Sequence, residues 1–203
     1  MSRILNLYSQ LLKDKERFVE EVFEAEIYKQ ARPQLIVVDI GAYQGEFGFY
    51  CLPFSKKVYA IEPDPKPYAM LKKYIRTFEL EDRIVPFPVA IAGKGGVRKL
   101  HASGGGGSSL LGPDAESDKQ VKVRALTLNE FFKENNLDHI NILKIDCEGS
   151  EKEILEALDI DLALGKVDLV IGEDHGYETL VREVLERNRL IVTYEGPVFI
   201  GKR

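Results

Sequence analysis

The amino-acid sequence predicts an α/β fold: a doubly wound, mostly parallel sheet of seven strands with an antiparallel C-terminal strand. Short apolar runs rich in β-branched residues alternate with helix-like segments over most of the chain. That alternation is typical of parallel strands joined by right-handed crossover helices. The runs lack a polar face, as expected for strands buried on both sides. Two last runs flank Glu195-Gly196-Pro197, which predicts a terminal hairpin.

Composition indicates one soluble globular domain spanning residues 1–203. Hydrophobic residues make up 44% and charged residues 30% of the chain. The net charge of −5 argues against a nucleic-acid partner, which usually shows as a basic patch. The two cysteines, Cys51 and Cys147, have no metal-ligand or disulfide spacing, so we expect a cytoplasmic protein. No apolar run approaches the roughly 18 residues of a membrane span.

The first half of the chain predicts an N-terminal helical extension followed by strands and helices in alternation. Residues 1–32 form the extension, with helical spacing of apolar side chains over residues 2–30. The predicted strands are Leu35–Asp39, Lys57–Ile61 and Arg83–Phe87, and the helices between them are Glu46–Leu52 and Pro65–Phe78.

Residues 93–125 interrupt this rhythm and predict an inserted β-hairpin. Its strands are Val97–His101 and Val121–Arg124, and the run Gly104–Gly107 lies between them. Holding four consecutive glycines in one conformation costs a large amount of conformational entropy. Two interpretations stay open: a mobile flap over a ligand site, or a disordered hairpin tip.

The second half returns to alternation. Thr127 and Ser150 each begin a capping-box pattern with a glutamate three residues later, which predicts two helix starts. The predicted elements are a helix to about Asn136, a strand Ile140–Ile145, a helix to about Leu158, a strand Val167–Gly172, a helix Tyr177–Asn188, and the hairpin strands Leu190–Tyr194 and Val198–Lys202.

The loop after the first strand has the features of a ligand site. Ligands of open α/β sheets bind beyond the carboxyl ends of the strands, where glycines let the backbone approach closely. The spacing Gly41, Gly45, Gly48 differs from the dinucleotide fingerprint, and Asp39 would repel a pyrophosphate but suit a cationic ligand. Glu62 follows Gly41 by 21 residues, about the offset of a carboxylate that binds ribose hydroxyls. Glycines that serve packing alone are the alternative.

A lysine inside an apolar strand marks a second group of charged residues. In a strand, Lys144, Asp146 and Glu148 point to one face. A half-buried lysine needs a partner, for which Asp146 and Glu173 are the candidates. The acidic residues expected to converge at the strand ends are Asp39, Glu62, Asp146 and Glu173.

These residues resemble known motifs. Asp39-x-Gly41-Ala42-x-x-Gly45, with Glu62 as the ribose acid, resembles motif I of the Rossmann-like, S-adenosylmethionine-dependent methyltransferases. The stretch 144–151 is similar to the Lys-x-Asp-x-Glu-Gly-x-Glu motif of the FkbM family, and the resemblance covers roughly residues 35–175. Asn129 departs from that family, where an Asp is usual.

The resemblance implies O-methyl transfer from S-adenosylmethionine to a hydroxyl of a sugar or other small molecule. It places Asp39, Gly41 and Gly45 at the methionine end, Glu62 at the ribose, and a turn at Val89-Ala90 along the adenine. Asp146 would face the methionine ammonium or the acceptor. The residues expected to contact the cofactor are Asp39, Gly41, Ala42, Tyr43, Gly45, Glu62, Pro63, Val89, Ala90 and Asp146.

His175 is the candidate general base, and Asp146 is the second candidate catalytic residue. His175 follows a strand end, where a neighbouring carboxylate can raise its basicity; the alternative is an idle surface histidine. Asp146 with Glu173 and Asp174 has the oxygen ligands of a Mg²⁺ site. Carboxylates paired with Lys144 and the ligand ammonium are favoured instead, so no metal is expected.

Other classes of function remain as alternatives. They are an RNA methyltransferase, an NAD(P) oxidoreductase and a non-catalytic nucleotide-binding module. The expected partner is a small-molecule or glycan acceptor, with no nucleic acid and no membrane.

Overall fold

The computed structural model describes residues 34–103, 108–110, 120–158 and 164–203. The predicted N-terminal helix and the glycine run at 104–107 lie outside the described residues. Among the helices of the described ranges, none combines the length and apolarity needed to cross a bilayer.

The described residues form ten strands and five α-helices, with one short 3₁₀ turn at Leu164–Lys166. The strands are β1 Leu35–Ile40, β2 Ser55–Ile61, β3 Ile84–Phe87, β4 Val89–Ile91, β5 Gly96–His101, β6 Gln120–Leu126, β7 Ile140–Ile145, β8 Val167–Glu173, β9 Ile191–Glu195 and β10 Val198–Lys202. The helices are α1 Glu46–Cys51, α2 Pro65–Thr77, α3 Leu128–Glu134, α4 Glu151–Glu156 and α5 Glu178–Arg187.

The main sheet has seven strands in the order β3-β2-β1-β7-β8-β10-β9. All neighbours pair in parallel except β10, which is antiparallel to both β8 and β9. The predicted fold class, including its antiparallel C-terminal strand, is therefore confirmed. The chain runs outward from β1 to β3 and then returns to place β7 on the other side of β1. This reversal opens a crevice at the carboxyl ends of β1 and β7, where such sheets bind ligands.

A second, three-stranded sheet has the order β4-β6-β5. The hairpin of β5 and β6 follows the sequence prediction. Val89 and Ala90, predicted as a turn, are instead buried residues of β4. The turn prediction was wrong because β4 is too short to show a strand pattern and is stabilised by parallel pairing with β6, over 30 residues away.

The core lies on both faces of the main sheet, because successive β1 side chains point to opposite sides. Val37 faces the layer of α1 and α2, where Phe49 and Leu71 are buried. Val38 faces the layer of α3, α4 and α5, which buries Phe131 and Leu185. Helices therefore cover both faces, and only the strand ends are left to build a site.

The two predicted capping boxes have different outcomes. At α3 the Thr127 side chain accepts from Glu130 N–H, and Glu130 reaches back to the Thr127 N–H, so the box is confirmed. At α4 the box is wrong: Ser150 makes no side-chain capping bond. Its backbone is helical, with ψ −7° where the capping residue Thr127 has ψ 158°, so its hydroxyl cannot face the first turn as a cap requires.

Candidate active site

The candidate site lies at the carboxyl ends of β1, β2, β7 and β8. In the register of the sheet, Asp39 of β1 is paired with Ala60 of β2 on one side and Lys144 of β7 on the other. Glu62 and Asp146 are the first residues after β2 and β7. The strand order thus brings together the loops that the sequence analysis singled out.

The glycine loop after β1 is fixed by backbone hydrogen bonds to both neighbouring strands. Gly41 and Ala42 N–H groups donate to the Ile61 carbonyl, at 3.1 and 3.0 Å. Asp146 N–H donates to the Ile40 carbonyl at 3.2 Å. Gly41 has φ +77°, and a Cβ added to it would lie 1.6 Å from the Asp146 carbonyl oxygen. Only glycine fits there, because the two loops touch through their backbones.

Gly45 is also required by the fold. Its φ is +99°, and an added Cβ would lie 2.5 Å from Leu71 Cδ1 and 2.8 Å from Phe49 Cε2. Close packing of α1 against α2 therefore accounts for this glycine without a ligand. The packing interpretation and the ligand interpretation of the loop are both compatible with its geometry.

Glu62 ties the loop after β1 to the loop after β2. One carboxylate oxygen, Oε2, accepts from Tyr43 N–H at 2.8 Å, and Oε1 accepts from Asp64 N–H at 2.7 Å. The side chain is only 6% exposed. Burial raises the pKa of Glu62 to about 7, although both N–H donors favour the charged form. Glu62, one of the predicted cofactor residues, is thus a buried carboxylate at the tip of β2, beside the glycine loop.

Asp39 and Lys144 form a buried ion pair beneath the loop. Lys144 Nζ lies 3.2 Å from Asp39 Oδ1 and 3.4 Å from Asp146 Oδ2, and it donates to the Gly41 carbonyl at 2.9 Å. Burial raises the pKa of Asp39, while the lysine charge opposes the rise. Burial lowers the pKa of Lys144, but the Asp39 and Asp146 charges outweigh it and leave a net rise.

The predicted partnership of Lys144 with Asp146 is present, but the partnership with Asp39 was missed. Nothing in the local sequence indicates it, because it follows from the pairing of β1 with β7. Asp39 is fully buried in this conformation, so the direct cofactor contact expected of it stays a prediction.

His175 lies between two glutamates of the loop and helix that follow β7. Its Nδ1 lies 3.4 Å from Glu151 Oε1, and its Nε2 lies 3.9 Å from Glu148 Oε2. The His175 side chain is 27% exposed, which puts it at the mouth of the crevice as the sequence predicted. Glu151 is 1% exposed, and its Oε1 also accepts from Cys147 N–H at 2.6 Å. Glu151 was missed as a neighbour of His175 because the two residues are 24 positions apart in the chain and meet only through the course of the loop after β8.

Glu148 is held in an unusual conformation. Its φ is +55°, and Gly149 follows with φ +93°, so the chain turns sharply between β7 and α4. Burial raises the pKa of Glu148, helped by the negative charge of Asp146 and opposed by His175. The turn brings the Glu148 side chain back towards the end of β7.

Two serines of the insertion connect both walls of the site. Ser108 Oγ donates to Asp64 Oδ2 at 2.7 Å, beside Glu62. Ser109 Oγ donates to the Glu148 carbonyl at 2.9 Å. These described residues border the glycine run and connect the loop after β2 to the loop after β7.

A cavity of about 500 Å³ is lined by residues that precede and follow His175 in the chain, but not by His175 itself. It is formed by the loop after β8, the start of α5 and the β9–β10 turn, and it includes the rings of Tyr177 and Tyr194. Asp174 shapes this wall, because it accepts from the Gly176 and Tyr177 N–H groups and from the Tyr194 hydroxyl. The Asp174 carboxylate therefore accepts hydrogen bonds within this wall, whereas the Mg²⁺ site considered from the sequence would require it as a metal ligand.

The remaining predicted cofactor residues are buried or half-buried. Ala42 is buried and Pro63 half-buried on the loops after β1 and β2, and Val89 and Ala90 are buried in β4. His139 lies at the opposite edge, next to the start of β7, where its Nε2 is 3.0 Å from Asp168 Oδ2.

The strand order and the position of the crevice are those of the Rossmann-like methyltransferase fold. Residues 39–189 match the model of the methyltransferase FkbM domain. The chain belongs to the FkbM methyltransferase family.

Individual relatives are distant. The chain is 24% identical to the 31-O-demethyl-FK506 methyltransferase FkbM of Streptomyces tacrolimicus, over 85% of this chain and 79% of that protein. The structure of a methyltransferase FkbM from Methylobacillus flagellatus superposes with a TM-score of 0.59 at 15% identity, covering 84% of this chain. The chain spans only 44% of that larger protein. M. capricolum TrmK, solved with S-adenosyl-homocysteine, superposes with a TM-score of 0.54 at 14% identity, over 93% of this chain and 67% of TrmK.

Proposed function

We propose that this chain is an S-adenosylmethionine-dependent methyltransferase that methylates a hydroxyl oxygen of a sugar or other small molecule. The observation that carries the proposal is Glu62, a buried carboxylate bonded to the Tyr43 N–H of the glycine loop, in a chain of the FkbM family. A carboxylate in this place accepts hydrogen bonds from ribose hydroxyls.

The cofactor would lie across the tips of β1 and β2. The loop from Gly41 to Gly45 would face its methionine end, Glu62 and Pro63 its ribose, and the β4 residues Val89 and Ala90 its adenine. Asp39 would act mainly through Lys144, since it is fully buried against that side chain. The S-adenosyl-homocysteine in the TrmK structure supports a cofactor of this type in the same fold.

The acceptor would enter from the side of β8. The cavity at the loop after β8 is lined by Tyr177 and Tyr194, whose rings are surfaces on which the apolar face of a sugar or alicyclic ring packs. The name of the FK506 relative supports a hydroxyl oxygen as the methyl acceptor.

Methyl transfer is an in-line displacement, in which the acceptor oxygen attacks the methyl carbon and the thioether leaves. Catalysis depends largely on holding the oxygen at attack distance and angle. His175 and Asp146 are the residues proposed to act on the acceptor. The Nε2 atom of the His175 imidazole takes the hydroxyl proton, and Asp146 orients the hydroxyl.

Ligand-dependent thermal stability tests the proposal. A ligand that binds the folded state alone raises the melting temperature. We expect S-adenosyl-homocysteine to raise it and NAD to leave it unchanged. Stabilisation by NAD alone would favour the oxidoreductase alternative and overturn the proposal. A screen of hydroxylated acceptors with S-adenosylmethionine then separates an enzyme from a non-catalytic binding module.

The role of the imidazole has its own test once an acceptor is found. His175→Ala is expected to lower kcat about 100-fold or more while S-adenosyl-homocysteine affinity stays the same. His139→Ala, at the opposite edge of the sheet, is the matched control. Unchanged turnover in His175→Ala would remove His175 from the mechanism.

A further inference from the structure

The residues at the mouth of the crevice form a group with the geometry of a metal site. Asp146, Glu148 and His175 each place one potential ligand atom within 4.8 Å of the other two. Two come from the loop after β7 and the third from the loop after β8. The set mixes two carboxylates with an imidazole, which distinguishes it from a purely acidic surface cluster.

Glu151 is a second, independent observation that points to a ligand. Its side chain is 1% exposed, and its Oε2 has no hydrogen-bond partner among the described residues. Its other oxygen lies 3.4 Å from His175 Nδ1. Metal-bound histidines typically hold their second ring nitrogen against a carboxylate in this way. That contact leaves the opposite nitrogen, Nε2, facing Glu148 at 3.9 Å.

The balance of charge also favours a cation. Asp146, Glu148 and Glu151 bring three carboxylates around one imidazole. The ammonium of Lys144 reaches Asp146 at 3.4 Å, but it is shared with the buried Asp39. Negative charge at the mouth therefore exceeds the compensation that these side chains provide, and partial burial makes that repulsion stronger than in water.

We propose that Asp146, Glu148 and His175 bind a divalent cation of the Mn²⁺ type, with Glu151 as the positioning residue for His175. Two carboxylates and one imidazole suit a cation between the hard and the borderline ions. Three protein ligands leave octahedral positions for water and for an acceptor hydroxyl. Adjacent ligands around such an ion are about 3 Å apart, so ligand atoms that lie up to 4.8 Å apart must close by as much as about 2 Å on binding.

This site differs from the one considered from the sequence, which combined Asp146 with Glu173 and Asp174. The Asp174 carboxylate is occupied by the N–H groups of Gly176 and Tyr177 and by the Tyr194 hydroxyl. In the proposed site, Glu148 and His175 take the places of Glu173 and Asp174. Glu148 can do so because the turn at this residue brings its side chain back to the end of β7.

The consequence for catalysis rests on the proposed function, whereas binding of the cation does not. With the cation bound, His175 Nε2 is a ligand and no longer accepts a proton. The cation then lowers the pKa of the coordinated hydroxyl, which loses its proton to solvent before the oxygen attacks the methyl group.

Direct binding measurements test the site. The protein is stripped with EDTA, dialysed and titrated with MnCl₂, with free Mn²⁺ followed by electron paramagnetic resonance and heat by calorimetry. We expect one Mn²⁺ per chain, with affinity at least tenfold weaker in His175→Gln and in Glu148→Gln. His139→Gln, which changes a histidine at the opposite edge, is expected to bind like the unchanged protein.

The same variants are then tested for stabilisation by S-adenosyl-homocysteine. We expect that stabilisation in all of them, which shows that weaker Mn²⁺ binding is not a loss of fold. Absence of saturable Mn²⁺ binding by the unchanged protein, or unaltered affinity in both variants, overturns the metal site. Mn²⁺ binding without any effect of S-adenosyl-homocysteine supports the site and counts against the proposed function instead.

Discussion

Gly41 shows how a single residue sets the distance between two loops of the site. Its backbone has φ +77°, and its missing side chain leaves room for the Asp146 carbonyl. The contact positions the end of β7 against the loop after β1. A side chain at residue 41 would separate these two loops whether or not a cofactor is bound.

Gly41→Ala is expected to lower the free energy of unfolding by about 3 kcal/mol or more, from left-handed strain plus overlap with backbone. Gly196→Ala is the matched control, since Gly196 has φ +60° and an added Cβ meets nothing within 4 Å. It is expected to lose only about 1 kcal/mol. Urea unfolding of both variants measures the difference, and equal losses would show that the contact with Asp146 is unimportant.

Glu62 is expected to make stability depend on pH. Its pKa rises from an ordinary 4.5 to about 7 in the folded protein, so the folded state binds the proton more tightly than the unfolded chain. The resulting stabilisation is fully present below pH 4.5 and is lost as the pH rises through 7. The loss amounts to about 3 kcal/mol at most.

Urea unfolding at pH 5 and pH 8 measures this contribution. Glu62→Gln cannot titrate, so it is expected to gain stability relative to the unchanged protein by about 2–3 kcal/mol between the two pH values. Glu134→Gln, on the exposed end of α3, is the control and is expected to follow the unchanged protein. Equal pH dependence in all three would contradict the assignment.

At the scale of helices, one sequence pattern has two structural outcomes. Thr127 and Ser150 are both followed by a glutamate three residues later, but only Thr127 adopts the extended backbone that lets its side chain cap the helix. The loop before α4 is constrained instead by Glu148 and Gly149, both with positive φ. Within this loop, the Cys147 N–H donates a hydrogen bond to Glu151 Oε1.

Thr127→Ala is therefore expected to cost about 1 kcal/mol of stability through the lost cap of α3. Ser150→Ala removes no capping bond and is expected to cost less than about 0.5 kcal/mol. Chemical denaturation of the two variants provides the comparison. A larger loss in Ser150→Ala than in Thr127→Ala would show that the helix starts are not governed by these bonds.

At the scale of the whole molecule, Lys144 joins the two halves of the sheet. It extends from β7 to the Gly41 carbonyl and the Asp39 carboxylate of β1, more than 100 residues earlier in the chain. Both side chains are buried, so neither charge has water as a substitute partner. The pair stabilises the junction at which the strand order reverses.

Lys144→Met is expected to destabilise the protein by about 3–5 kcal/mol, because Asp39 is left buried without its partner. Lys152→Met is the control, since its pair with Glu156 is on the surface and is worth less than about 1 kcal/mol. Adding Asp39→Asn to Lys144→Met is expected to recover part of the loss. A double variant as unstable as the sum of both single variants would contradict coupling between the two residues.

The sequence alone determined the fold class and most element positions. Ile140–Ile145 and Val198–Lys202 were predicted with the bounds that the structure gives them. The Thr127 cap and the position of Glu62 directly after β2 were likewise evident. Each depends on nearest neighbours along the chain, on periodicity or on the spacing of a local motif, and these are properties that a sequence displays directly.

Tertiary structure alone decided which of these parts meet. The pairing of Asp39 with Lys144, the strand formed by Val89–Ile91 and the contact of Glu151 with His175 were not predicted. Each joins residues brought together by strand order or by the course of a loop. Strand order is set by how the whole chain buries its apolar surface on both faces of the sheet, and no local pattern carries that information.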